Sequence, residues 1–518
     1  MANDTPDSPS SAYNAMLPYW KKVDAILGGA DAMRQAAQDY LPKFPQETGA
    51  DYERRRKTAK FTNIFNDIVE GLAAKPFTEE VHINDGSASP SIMKLMEDID
   101  GKGNHLSVFA QSTFFCGIAQ AISWILIDYT KNVPPTATVA QERELGARPW
   151  WVHIPPTRLV AIYSDIVGGQ EVFTHARILE PTLARTGYGE TVSNRVRVFN
   201  RDPIVNADGD VVDYAPATWE LWEEQQNVAD KKKQWVKIGG GPVTIGIIPL
   251  VPFTTGRRIG SAWQLVPSMR DAADLQITLY QQENALEHVK ECAGFPMLSG
   301  NGVAPATGPD GNPLPLLVGP KAVLYAPARE QGAVGNWTFI EPSSSTMTFL
   351  AADIEKTKQD LRELGRQPLT AQTGNLTVVT TAFAAQKGNS AIQAWALNLK
   401  DTLELALMVT GLWLKDSSQP EVHVDTDFDI GLNDDNDRTV LVQMRAAGDI
   451  SQQTLWYEMK RRAVLSPDFD PDLEAQNLLN EVPGEAEPPT LDPLTGEPIV
   501  ANPNLPQPAP KAPVVQPA

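Results

Sequence analysis

The chain of 518 residues has only two cysteines, Cys116 and Cys292, and no CxxC pair. Neither a zinc knuckle nor a dense disulfide framework is expected, and a reducing folding environment is the simpler reading. Histidine is equally scarce: His82, His105, His153, His175, His288 and His423 stand apart, none in HxxxH or HExxH spacing. That argues against a histidine metal centre. No uninterrupted apolar run of about 18 residues occurs, so no membrane span is expected. The N-terminus, MANDTPDSPSSAYNAM, lacks a basic and an apolar stretch, so no secretory signal is expected.

Basic charge is also short. Lysine and arginine total 44 against 64 acidic residues, a net charge of −20. Such a surface repels phosphate, so tight non-specific duplex binding is not expected. DNA is not thereby excluded, because a channel in which DNA slides should not grip it.

Catalytic signatures are missing too. Gly239–Gly246 is glycine-rich but lacks the GK[ST] of a phosphate loop and reads as a turn before a strand at Val243–Ile248. Asp425, Asp427 and Asp429 imitate a calcium loop, but Ile430 and Asn436 stand where its glycine and glutamate belong. There is no G-x-S-x-G elbow and no Cys–His nucleophile pair. An acid pair among the many carboxylates stays open, but no one pair is singled out.

What is present is a chain of two to four domains by length, with 42% apolar and 21% charged residues. Residues 1–12, rich in Ser, Pro and Asp, read as disordered, and the proline-dense 483–518 reads as a disordered or polyproline-like tail. Helices are expected over Ser11–Leu27, Ala30–Tyr40, Asp51–Lys75 and His105–Gln120. A buried strand at Trp124–Tyr129 follows. Short strands come next at Leu159–Tyr163, Glu171–Leu179, Arg195–Phe199, Thr218–Trp222 and Gln234–Ile238, with a hairpin turn at Ala207–Asp210. A long helix is expected over Ser261–Cys292, then a Gly/Pro-rich insert, Gly294–Pro342, with strands at Ala322–Tyr325 and Trp337–Ile340. Helices at Ser345–Leu364, Asn389–Leu414 and Asp437–Leu479 complete the α+β reading, with a strand at Val422–Asp429.

Two kinds of site candidate emerge. Basic clusters lie at Arg54, Arg55, Arg56, Lys57 and Lys60, at Lys231–Lys233, and at Lys460, Arg461 and Arg462. Each reads as a solvated face or as a local contact with phosphate or an acidic neighbouring subunit. The segment Gln367–Gly388 is nearly uncharged, with Lys387 as its one charge, and is rich in Thr, Ala and Gln.

The order of these elements resembles the portal proteins of tailed bacteriophages, in particular a group of about this length catalogued as a domain of unknown function. The likeness is carried by Tyr52-Glu-Arg-Arg-Arg through Phe61 and Leu72 to Lys75-Pro-Phe, and by Ile248-Pro-Leu-Val-Pro-Phe253 leading through Pro267, Asp271, Leu275 and Tyr280 to Gly294-Phe-Pro-Met-Leu. Leu361-Arg-Glu-Leu-Gly365, Thr380-Thr-Ala, the helix with Trp395, Gly448-Asp-Ile-Ser, Glu458-Met-Lys-Arg-Arg and Asp468-Phe-Asp470 continue it, over about residues 13–482.

The resemblance implies a non-enzymatic ring, usually of twelve subunits, at one capsid vertex. It implies a mixed α/β wing over 13–260, a stem helix and small β-containing clip over 261–345, channel and stem helices over 346–430, and a helical crown over 431–482. Implied partners are other copies of the chain, double-stranded DNA in the channel, the major capsid protein, the terminase large subunit, and a neck, head-completion or tail adaptor protein. The implied location is the virion, with assembly in the host cytoplasm, and no cofactor or membrane is involved. The family's DNA-contacting tunnel loop is assigned to Gln367–Gly388, with Gln372, Thr373, Asn375, Thr377, Thr380, Thr381, Gln386 and Lys387 facing DNA, because a neutral loop touches a duplex without trapping it. Ala326–Ser345 is the rival segment. The alternatives are another virion connector or minor capsid protein, and a hydrolase with a hidden carboxylate pair.

Overall fold

The computed structural model describes residues 5–45, 47–130, 146–226, 232–294, 297–301, 309–310, 312, 336–340, 344–364, 378–426, 434–461, 465 and 469–480. The chain divides into two compact units, Met1–Asp429 and Ile430–Ala518.

In the first unit, α1 (Ser11–Leu27) begins where the Ser10 side chain accepts the Tyr13 N–H, and it buries Met16, Tyr19, Trp20, Val23 and Ile26. The expected disorder of residues 1–12 does not hold over residues 5–12: Ser10 is buried as this cap, and its N–H donates to the Val160 carbonyl. Helix α2 (Gly29–Ala36) follows. The single helix expected over Asp51–Lys75 is two, α3 (Gly49–Thr58) and α4 (Ile64–Ala74). Asn63 starts the second by accepting the Asn66 N–H. Strand β1 (His82–Ile83), α5 (Pro90–Leu95) and α6 (Leu106–Gln120) come next.

The sheet region holds β2 (Ile122–Tyr129), β3 (Pro149–Ile154), β4 (Leu159–Val167), β5 (Gln170–Leu179), β6 (Thr182–Thr186), β7 (Gly189–Ser193), β8 (Arg195–Asn200), β9 (Pro203–Val205), β10 (Val211–Tyr214), β11 (Thr218–Gln226), β12 (Lys233–Pro242) and β13 (Leu250–Thr254). They form an antiparallel five-stranded sheet in the order β12-β11-β8-β5-β4, a three-stranded sheet β13-β2-β3, and the separate hairpins β6–β7 and β9–β10. The predicted turn at Ala207–Asp210 is present, with Gly209 at a φ of 91° that favours glycine. Gly239–Gly241, expected in a turn, instead lie in β12. The Trp219 ring packs beside Gly239 and Gly241, where a Cβ would stand 3.6 Å from it. Strand β13 begins at Leu250, not at Val243.

The helix expected from Ser261 begins only at Arg270. Pro267 cannot donate within a helix, and β14 (Arg257–Arg258) pairs with β15 (Leu265–Val266) just before it. Helix α7 (Arg270–Gly294) then spans about 38 Å. Strands β16 (Met297–Asn301) and β17 (Asn336–Ile340) form an antiparallel pair between it and α8 (Ser344–Leu364). Ala322–Tyr325 lies outside the described residues. Helix α9 (Val378–Leu414) starts eleven residues before the expected Asn389. Of the strand expected at Val422–Asp429, Val422–His423 form β18, paired with β1, residues 424–426 are not strand, and 427–429 lie outside the described residues.

The core is continuous from Met16 to Val424. Helices α6 and α9 both pack on the three-stranded sheet. Gly117 of α6 is required there, since a Cβ would collide with the Phe253 ring. Asn398 of α9 donates to the Thr254 carbonyl and Thr402 to that of Pro252, fixing the helix along β13.

His153 on β3 sits in this core with its Nε2 2.7 Å from the Ser123 hydroxyl. Burial, helped by the Arg158 charge, pushes its pKa down to about 4. The unfolded chain therefore takes up a proton that the folded chain refuses. This contribution is fully present above about pH 6.5 and is lost as pH falls toward 4, a loss on the order of 3 kcal/mol. Urea midpoints of the wild type and His153→Gln between pH 7 and pH 4 are expected to converge as pH falls. Parallel curves would contradict the assignment.

The second unit is helical: α10 (Asp434–Ala447), α11 (Gln452–Arg461) and α12 (Pro471–Asn480). Gly448 closes α10 with a φ of 82°, and Trp456 meets Phe469 edge-on. Residues 483–518 lie outside the described residues. The α+β class read from the sequence is the class observed.

Candidate functional site

The α3 basic cluster does not form one cationic surface. Arg55 is half-buried and paired with Glu47, with Nε 2.8 Å from Oε1, and it stacks on Phe44 at 4.0 Å. It also donates to the Pro42 carbonyl, and its guanidinium holds the Glu47 carboxyl below the usual range. Arg56 is engaged by Glu53 at 2.7 Å and donates to the Arg34 carbonyl. Arg54 is exposed, 3.8 Å from Glu291 of α7. The fold uses Arg55 and Arg56 internally, and Arg54, Lys57 and Lys60 are the exposed members of the cluster.

Lys460 and Arg461 lie in the last turn of α11, and Arg462 lies outside the described residues. Lys231 also lies outside them, while Lys233 is paired with Glu224 at 2.9 Å.

Of the uncharged segment, Gln372, Thr373, Asn375 and Thr377 lie outside the described residues. Thr380, Thr381, Gln386 and Lys387 lie in the first turns of α9, so the segment is not one loop: residues 378–388 are helix. Threonine and alanine gave no sign of this, since an uncharged run without a polar face shows no helical period.

The sequence also gave no warning of the polar face of α7. Gln276, Glu283 and Asn284 are buried. Gln276 Oε1 accepts the N–H groups of Ile64 and Phe65, and its Nε2 donates to the Thr62 carbonyl. Asn284 brackets Lys60 in the same way, accepting its N–H and donating to its carbonyl. Glu283 accepts the Thr62 hydroxyl at 2.7 Å and lies 3.9 Å from Lys358 of α8. The break between α3 and α4 thus finds on α7 the partners that helix would have supplied. The signal is three amides and acids at positions 276, 283 and 284, on the side of the helix that also buries Ala273, Leu279 and Tyr280. It becomes readable only once the broken segment is known to lie against them.

Helices α7 and α8 pack side by side, with Gln282 donating to Asp353 at 2.7 Å.

Cys116 donates to Gln120 at 3.3 Å, and burial pushes its thiol up to about 12, so it stays protonated near neutrality and is no nucleophile. Among the described residues no group of three or more His, Cys, Asp and Glu side chains is placed to hold a metal. No described helix is long and apolar enough to cross a membrane.

No curated protein matches the chain. The chain is similar to solved structures described as the neck of a native GTA particle computed with C12 symmetry (13% identity, 82% of this chain and 96% of that one, TM-score 0.40) and the virion of a native gene transfer agent particle (11%, 84% and 98%, 0.39). A third is the neck of an empty GTA particle computed with C6 symmetry (12%, 79% and 92%, 0.41). Within the chain, residues 268–414, from the start of α7 to the end of α9, match the family described as Domain of unknown function (DUF4055).

Proposed function

We propose that this chain is a portal subunit of a tailed bacteriophage. It forms a ring at a unique capsid vertex, through which double-stranded DNA is packaged and later ejected. The ring docks the terminase motor during assembly, and neck or tail proteins afterwards. Packaging energy comes from the terminase, which agrees with the absence of a phosphate loop here.

One observation carries the reading: the succession α7, β16–β17, α8 and α9 inside the matched region. Two long helices packed side by side, joined through a Gly/Pro-rich insert with a hairpin, supply a stem and a clip. A third helix follows, after an almost uncharged stretch. On this reading 13–260 is wing and 431–482 crown. The tunnel segment is 367–377 with the first turns of α9, where Thr380, Thr381, Gln386 and Lys387 lie.

A neutral segment touches passing duplex without the salt-sensitive hold that each fixed phosphate contact adds. Replacing residues 367–377 by a short Gly/Ser linker is expected to leave assembly intact while particles built with the variant lose most of their packaged DNA. DNA content per particle measures this. Wild-type DNA content would remove the segment from the channel, and loss of assembly would make it structural.

A further inference from the structure

The six histidines stand apart in the sequence, but the fold brings two of them face to face. Strand β1 pairs with β18 in antiparallel register, with His82 directly opposite His423 and Ile83 opposite Val422. Both segments alternate. Val81 and Ile83 on one, and Val422 and Val424 on the other, are buried, so His82 and His423 stand on the solvent face. Side chains directly opposite each other on an antiparallel pair share a face and meet. The buried neighbours of each histidine hold its backbone against the core. The Asn84 N–H, donated to the Glu421 carbonyl, and the Val422 N–H, donated to Glu404 of α9, fix the pair further.

The rings are spaced as a chelate requires. Their centroids lie 5.0 Å apart. Two imidazoles bound to one zinc ion at about 2.1 Å in tetrahedral arrangement have centroids about 5 Å apart, so the backbone need not move. His82 Nδ1 lies 2.9 Å from the Glu80 carbonyl. A carbonyl only accepts, so Nδ1 carries the proton and Nε2 the free electron pair. A backbone carbonyl on the other ring nitrogen is the usual outer partner of a metal-bound imidazole. His423 Nε2 lies 3.7 Å from a Glu79 carboxylate oxygen, which puts negative charge beside the pair.

We propose that His82 and His423 chelate a divalent late-transition-metal ion, with zinc as the probe. The two imidazole nitrogens are the protein ligands, Glu79 offsets part of the charge, and water fills the remaining positions. Imidazole suits zinc, copper and nickel, whereas magnesium and calcium take oxygen donors. With two protein ligands instead of the four of a closed structural site, the affinity expected is micromolar. The ion clips together β1 and β18, strands of two residues each, and so closes a long loop of the chain. The clip sits shortly before Ile430, where the second unit begins. Sequence spacing gave no sign of it, because the two ligands come from opposite ends of the first unit.

The test is isothermal titration of the full-length protein, stripped with EDTA and dialysed, with zinc chloride near neutral pH and with magnesium chloride as control. His82→Ala and His423→Ala alter exposed side chains, and circular dichroism checks the fold. The double variant supplies the background from the other histidines and the two cysteines. Wild-type protein is expected to bind one zinc ion per chain above that background. Each single variant is expected to bind at least about tenfold more weakly, because a single imidazole loses the chelate. A second measurement needs no variant: zinc should protect His82 and His423 together from carbethoxylation by diethyl pyrocarbonate, read by peptide mass spectrometry. Wild-type binding no stronger than that of the double variant overturns the proposal, as does a single variant that keeps wild-type affinity. Protection of one histidine without the other also overturns it. Equal affinity for magnesium means a carboxylate site and overturns it as well.

Discussion

Replacing Arg197 by methionine is expected to cost about 3–5 kcal/mol, the usual penalty for removing one member of a buried ion group. Arg197 stands on β8, buried, with Nη1 2.8 Å from Asp128 and Nη2 3.1 Å from Glu180. Asp128 belongs to β2, so the guanidinium ties the five-stranded sheet to the three-stranded one. Methionine fills the space but strands two carboxylates in a half-buried setting. The urea midpoint should fall with its slope unchanged. Adding Asp128→Asn and Glu180→Gln should recover a large part of the loss, because the cost lies in unpaired charge rather than volume. If Arg197→Met alone is neutral, the sheets are joined by apolar packing and the ion group is incidental.

Trp151→Ala should destabilise by a comparable amount, about 3–5 kcal/mol for a large aromatic removed from a packed core. Its ring is 1% exposed and meets Phe109 of α6 edge-on, with centroids 5.5 Å apart. Its Nε1–H donates to the Thr410 hydroxyl of α9 at 2.8 Å. One side chain on β3 therefore joins α6, the three-stranded sheet and α9. Trp151→Phe keeps most of the volume and loses the donor, so roughly 1 kcal/mol is expected. Hydrogen exchange should locate the damage: amides of α9 lose protection in Trp151→Ala more than those of β11 and β12. Equal loss across both regions would mean that Trp151 holds the unit as a whole and not α9 in particular.

Why α9 matters returns to the sequence. Its buried side, with Ile392, Trp395, Leu399, Leu403 and Leu407, was legible as a helical stripe. Its first turns are not, because Val378–Gly388 has no polar face and only the single charge of Lys387 to set a period. The same limit hid the onset of α7. Leu265 and Met269 stand at helical spacing, but Leu265 is in a strand and Pro267 separates the two. Gly239–Gly241 misled in the opposite direction. Three glycines read as a turn, yet they are paired in β12 with Trp219, Glu220 and Leu221 of β11, and a Cβ on Gly240 would come within 2.9 Å of the Trp219 carbonyl. The strand at Arg195–Phe199 is legible from its Val and Phe residues, and burial there falls on both faces, since Val196, Arg197 and Phe199 are all buried.

The candidate site was less legible than the fold. A basic run counts charges and says nothing about which are spent, and the fold spends Arg55 on Glu47 and Arg56 on Glu53. The buried amides of α7 serve a segment more than 200 residues earlier in the chain, a pairing with no local sign. The resemblance to portal proteins lies in an order of elements, and a ring is a property of many copies.

Imaging the purified full-length chain by negative-stain electron microscopy therefore tests the central claim most directly. Closed rings of about twelve copies, the number the resemblance implies, with a central opening wide enough for duplex DNA are expected. A folded monomer that forms no ring at any protein or salt concentration would contradict it.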